Sequence, residues 1–241
     1  MKEQVQSSGT ASAATGSAAP ARRLASQEAG ARLDETQKGI NAYFAAKLDA
    51  FGATPKGVDY NGEQAQRSRF LELVKVINPA GRFSVIDYGC GYGAMFEFIN
   101  QRGWDFEYYG LDLVEKMVIA GRNRFKAFPN AHFTADEQAL PVSDYLVAAG
   151  VFNVKLEMTC EEWSGFVCAK LTGMNGLCSR GFAFNMLTKY SDADRMAQRP
   201  DLFYGDPLFF FDFCKRNFSR NVALLHDYGL YDFTILVRKD L

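Results

Sequence analysis

The residues Val85-Ile86-Asp87-Tyr88-Gly89-Cys90-Gly91-Tyr92-Gly93 are the ones whose types and spacing point to chemistry. An apolar run ends at an acid, and three alternating glycines then turn the chain toward a helix. Glycine tolerates positive φ, and its missing side chain lets a ligand lie against the main chain. The start of the next helix adds backbone N–H donors at the same place. A loop of this kind suits a nucleotide. Gly89, Gly91 and Ala94 satisfy a dinucleotide fingerprint, and Asp112 stands where that fingerprint needs its acid. The glycines by themselves therefore leave NAD open.

Asp87 separates the two guests. Two residues ahead of Gly89, its carboxylate would face a pyrophosphate, and like charges repel. S-adenosylmethionine carries no phosphate, and its ammonium group can pair with such a carboxylate. Asp87-x-Gly89-x-Gly91-x-Gly93 resembles the first motif of the class I S-adenosylmethionine-dependent methyltransferases, and the likeness runs from about residue 56 to the end of the chain. The resemblance implies a seven-stranded sheet whose last strand is an antiparallel insertion, with S-adenosylmethionine as cofactor. It also implies that Asp112 accepts from the ribose hydroxyls, that Leu113 and Met117 flank the adenine, and that Asp136 reads the adenine amino group. Gly150 and Asn153 fall beyond the fourth strand, where this family places cofactor and substrate contacts. Read from the residues alone, Asp112 is also a helix N-cap, and Asp136 also a solvated loop acid.

Marks of particular methyl acceptors are missing. The fourth strand is followed by Gly150-Val151-Phe152-Asn153, without the Pro-Pro-aromatic pattern of base amino methylation in this family, and no Pro-Cys pair occurs. Asp192 and Asp194 read as a solvated loop pair, so no metal is expected. An oxygen or nitrogen of a small molecule is the expected acceptor. A protein or RNA acceptor, or a binding partner without turnover, are the alternatives. Tyr60, Asn153, Tyr190 and Tyr204 are the candidate substrate contacts, and aromatics among acids can hold an apolar or cationic group. Phe209, Phe210 and Phe211 either line that pocket or pack a helix on the sheet. Arg67 either reaches the cofactor carboxylate or lies on the surface. His226 is the candidate general base, since its unperturbed pKa is near 6.5; otherwise it serves a hairpin turn.

The elements that must position these residues alternate. Apolar runs at 83–88, 107–112, 131–134, 144–150 and 180–187 read as buried strands, with helices near 94–102, 114–126 and 160–174 between them. This alternation predicts a doubly wound, mostly parallel α/β sheet with helices on both faces. Near the end, 220–227 and 231–238 are joined by three residues, which permits only an antiparallel pair. Ahead of the core domain (81–241), amphipathic spacing predicts helices at 35–51 and 62–77, the second capped by Asn61 with Gln64. These form a helical cap (34–80), and 188–213 forms a lid. Residues 1–33, rich in Ala, Ser and Gly, read as a disordered tail. The 241 residues carry a formal net charge of −1 and are 48% hydrophobic. That balance favours a small acceptor over DNA. No apolar run reaches the roughly 18 residues of a membrane span. Five cysteines without a CxxC pair fit a reduced, cytoplasmic protein.

Overall fold

The computed structural model describes the backbone from residue 18 to 240 and side chains from residue 30 to 240. Seven strands form one sheet in the order β3-β2-β1-β4-β5-β7-β6. They are β1 (Phe83–Tyr88), β2 (Phe106–Leu111), β3 (Ala131–Thr134), β4 (Ser143–Ala149), β5 (Cys178–Leu187), β6 (Asn221–Leu225) and β7 (Asp232–Arg238). β1 to β5 run parallel, whereas β7 is antiparallel to both β5 and β6. The expected fold class is therefore the observed one. The strand order reverses at the β1/β4 boundary, which opens the crevice where ligands of such sheets sit.

Side chains alternate between two cores. Val85 joins Phe96, Tyr108 and Tyr145 on one face, and Ile86 joins Trp163, Phe182 and Phe210 on the other. This is the period-two geometry of a strand covered on both sides. The helices α2 (Glu63–Leu73), α3 (Ala94–Asn100) and α4 (Glu115–Arg124) supply residues to the first core, and α5 (Cys160–Gly176) and α7 (Pro207–Asn217) to the second. Thr159 and Glu162 close a capping box at the start of α5. Among the described residues no helix is long and apolar enough to cross a membrane.

Two expectations at the N-terminal side are corrected. α1 spans Ala18–Phe51, so residues 18–33 are helical rather than tail. Alanine needs no apolar stripe to favour a helix, and α1 is rich in it. The rest of the expected tail, 1–17, lies outside the described residues. α2 begins after Gly62, whose φ of +137° only glycine takes readily, and it has no side-chain cap, so the Asn61–Gln64 capping box does not form. α1 ends where Gly52, at φ +65°, donates its N–H to Leu48 O at 2.8 Å. The lid contains a short helix, α6 (Ala193–Gln198), and is pinned to the loop after β4 by the Val154–Leu202 bridge and by Phe203 N–H donating to Asn153 O at 2.8 Å.

Candidate active site

β1 brings Asp87 to the switch point, and the chain leaves through Gly89 and Gly91 at φ +79° and +53°. A Cβ on Gly89 would lie 2.3 Å from Val151 Cγ1, and one on Gly91 would lie 2.8 Å from Val58 Cγ1. Both conformation and space thus require glycine here. The Gly91 N–H donates to Asp112 Oδ2 at 2.8 Å, and the Val114 N–H donates to Asp112 Oδ1 at 2.9 Å. Asp112 therefore braces the glycine loop and the turn ahead of α4, but it is not the helix N-cap, which is Val114 without a side-chain cap. A carboxylate has about four acceptor positions, so each oxygen can still accept from a ligand.

Asp87 is 2% exposed and accepts from Tyr108 Oη at 2.7 Å. Burial pushes its pKa up to about 7; the Tyr108 bond opposes this and the nearby Asp112 adds to it. Burial also raises Asp112, against its two backbone hydrogen bonds. A buried and a half-buried carboxylate over a tight backbone cradle fit a ligand that brings hydroxyl and ammonium donors, and they repel a phosphate.

The cradle opens into a cavity of about 670 Å³. Its walls include Asp87, Gly89, Gly91, Asp112, Leu113, Met117 and Gly150. Gln37, Asn41 and Phe44 of α1 also line it, as do Arg195, Gln198, Arg199 and Tyr204 of the lid. Asn41 Nδ2 donates to Leu113 O at 3.5 Å, which joins α1 to the cradle.

No protein-family model matches the sequence. Rv1506c of Mycobacterium tuberculosis (strain ATCC 25618 / H37Rv), a protein provisionally named a methyltransferase, is 48% identical over 166 residues, covering 69% of this chain and 99% of its own. Among solved structures, the N-methyltransferase NodS from Bradyrhizobium japonicum WM9, in complex with S-adenosyl-L-homocysteine, is similar at a TM-score of 0.57 and 13% identity, over 83% of this chain and 98% of NodS. Magnesium protoporphyrin IX methyltransferase from Synechocystis PCC 6803, with bound S-adenosylhomocysteine, is similar at a TM-score of 0.53 and 19% identity, over 73% of this chain and 83% of that one. This chain belongs to the class I S-adenosylmethionine-dependent methyltransferases.

Elsewhere on the cavity wall, three groups converge on the end of β4. Gly150 has φ +70°, and a Cβ there would lie 3.3 Å from both Asn153 Nδ2 and Tyr60 Oη. Tyr60 Oη donates to Ala149 O at 3.1 Å. Burial holds the Tyr60 phenol well above its ordinary pKa, so it stays protonated. Asn153 Oδ1 accepts the Leu187 N–H at 3.0 Å, which leaves the Nδ2 donors beside Gly150 on the cavity wall. Tyr204 lines the same space.

Other expected positions fall elsewhere. Gly93, at φ +87°, is absent from the cavity wall; a Cβ there would meet Phe125 and Phe133, so it packs the start of α3. Asp136 is exposed, and its Oδ1 accepts the Gln138 N–H at 2.9 Å, capping a short turn rather than facing the cavity. Tyr190 is 58% exposed, and its ring lies 6.0 Å from that of His226, which is exposed as well. Neither lines the cavity. β6 does run in the direction of β5, but β7 stands between them. At about 4.8 Å per strand, β6 lies about 19 Å across the sheet from β1. Arg67 is exposed with its guanidinium 5.3 Å from the Phe98 ring centre. Phe210 is 1% exposed in the core, so it packs α7 on the sheet.

The side chains missed from sequence form a buried polar network behind Gly150. Arg69 donates to Asp232 through Nε at 3.0 Å and Nη2 at 2.5 Å. Asn185 Nδ2 donates to Asp232 at 3.3 Å, and Asn185 Oδ1 accepts the Gly150 N–H at 2.8 Å. An asparagine in the middle of the apolar run Phe182-Ala183-Phe184-Asn185-Met186-Leu187 was the available signal, because a buried amide demands partners.

Proposed function

We propose that this methyltransferase transfers a methyl group to an oxygen or nitrogen of a small molecule held between Tyr60, Asn153 and Tyr204. S-adenosylmethionine, when bound, supplies an electrophilic methyl group on a sulfonium. On this reading Asp112 accepts from the ribose hydroxyls, Asp87 faces the ammonium group, Gly89 and Gly91 allow close backbone approach, and Leu113 and Met117 bound the adenine. Asn153 orients the acceptor through its amide donors, and Tyr60, whose O–H is held by Ala149 O, offers an oxygen lone pair beside it. Displacement at a sulfonium depends mainly on positioning, so the fixed geometry around Gly150 supports catalysis without a strong base. His226 is not assigned that role, because it lies outside the cavity.

The observation that carries the proposal is the roof. α1 and the lid enclose the cavity from two sides, which suits an acceptor of metabolite size better than a folded protein or a nucleic acid strand. The test is transfer from methyl-labelled cofactor into a metabolite extract, with total protein and RNA assayed in parallel. Label in the low-molecular-weight fraction is expected; label confined to protein or RNA would refute the acceptor class.

A further inference from the structure

Charges of both signs stand on the cavity wall, and Asp59 there lies 4.0 Å from Arg199. The glycine-loop side holds the buried Asp87 and the half-buried Asp112, while the lid contributes Arg195 and Arg199. The other cations on the wall are already neutralised: Arg69 pairs with Asp232 and Lys170 with Glu137 at 3.1 Å. Arg199 pairs with Asp201 at 2.9 Å. Among the described residues Arg195 has no carboxylate within ion-pair distance.

Arg195 is exposed, and an aromatic ring stands beside it. The Arg195 guanidinium lies 4.8 Å from the centre of the Tyr231 ring, and Tyr231 Oη donates to Asp192, one residue before α6. Tyr231 thus ties the lid helix to the approach to β7 and takes up one face of the guanidinium. A contact with a ring uses none of the guanidinium's N–H donors, so its planar fork can meet a second partner, and that fork matches an oxyanion. Gln198 and Tyr204 line the cavity beside it and add hydrogen-bonding groups of either polarity.

We propose that the methyl acceptor bears an oxyanion, a carboxylate or a phosphate, which Arg195 binds at the lid end of the cavity. The inference rests on the small-molecule reading above and names its substrate class. Arg195 attracts such an anion while Asp87 and Asp112 repel it, so an acidic acceptor is drawn to the lid rather than to the glycine loop.

The protein loaded with S-adenosylhomocysteine should be titrated with benzoate, phenyl phosphate and uncharged benzamide. Binding is followed by calorimetry and by the Nε–H resonance of Arg195, assigned through its disappearance in Arg195→Gln. At least one anion is expected to bind tenfold or more tightly than benzamide and to shift that resonance. The advantage should vanish in Arg195→Gln and return in part in Arg195→Lys, with S-adenosylhomocysteine affinity unchanged throughout. The preferred anion distinguishes carboxylate from phosphate. Equal binding of the three probes, binding of none, or an anion preference that survives Arg195→Gln overturns the proposal. Failure of the small-molecule reading registers separately, as methyl label found only in protein or RNA.

Discussion

Replacement of Asp87 by Asn removes a charge from a site where the protein alone disfavours it. The side chain is 2% exposed, and burial raises its pKa from 3.8 to about 7. The folded protein without cofactor therefore holds this proton more tightly than the unfolded chain does. Between about pH 4 and 7 the Asp87 contribution to stability falls as pH rises, and above 7 the full cost is present. The gap between about 7 and 3.8, at about 1.4 kcal/mol per pH unit, gives an upper limit on the order of 4 kcal/mol. Asp87→Asn should accordingly match the wild type in stability near pH 4 and exceed it at pH 8 in the absence of cofactor. Cofactor binding should show the opposite preference, because an ammonium group favours the ionised carboxylate. If only that form binds well, affinity rises about tenfold between pH 6 and 8, following the ionised fraction. In Asp87→Asn the profile should be flat, and affinity at pH 8 should be lower by about 1.5–3 kcal/mol, the range for a hydrogen bond to a charged group. Calorimetry with S-adenosylhomocysteine across pH 5.5–8.5 and urea melts of the cofactor-free protein measure both halves. A variant that binds as tightly as wild type at pH 8, with the same pH slope, would refute the pairing of Asp87 with the cofactor.

Asp112→Ala should weaken cofactor binding by about 1–3 kcal/mol and loosen the glycine loop, read by calorimetry together with amide exchange at Gly91; unchanged affinity would leave Asp112 as a structural brace alone. Gly91→Val should abolish cofactor binding in a folded protein, since its Cβ would already lie 2.8 Å from Val58 Cγ1 at a φ of +53°; retained binding would discredit the placement of the loop. Tyr204→Ala should reduce methyl transfer while S-adenosylhomocysteine affinity stays within about twofold, because Tyr204 is outside the glycine-loop cradle. His226→Asn should leave methyl transfer within about twofold of wild type, and a hundredfold loss would restore it as a base. Asp232→Ala strands Arg69, whose side chain is 12% exposed, and should cost about 3–5 kcal/mol in urea melts; a loss below 1 kcal/mol would show that the pair contributes little.

The loop from Asp87 to Gly93 was legible because its constraints are local. A strand, a sharp turn through positive φ and a helix start each leave a residue signature within nine positions, and Asp112 follows at a fixed offset. The antiparallel hairpin was legible for the same reason, since three connecting residues cannot cross over the sheet. Both the parallel core and the cofactor cradle follow from such short-range rules. The acceptor side does not. Asn153 was reached from its place after the fourth strand and Tyr60 from the helical cap, whereas Tyr190 and His226 rested on the strands 180–187 and 220–227 running in one direction. Direction was right and distance was wrong: pairing of β7 between β5 and β6 is a non-local choice, and it carries the end of β6 to the edge of the sheet. Asp136 was lost to a competing local bond, its own turn. The roof was legible as elements, since amphipathic spacing announces the helix at 35–51 and 188–213 reads as a lid, but which of their side chains reach the cavity was not. Sequence by itself thus determined the elements and the residues a few positions from the glycines. The tertiary structure alone decided which distant side chains share the cavity, because packing of helices and order of strands depend on the whole chain's complementary surfaces rather than on any segment's spacing.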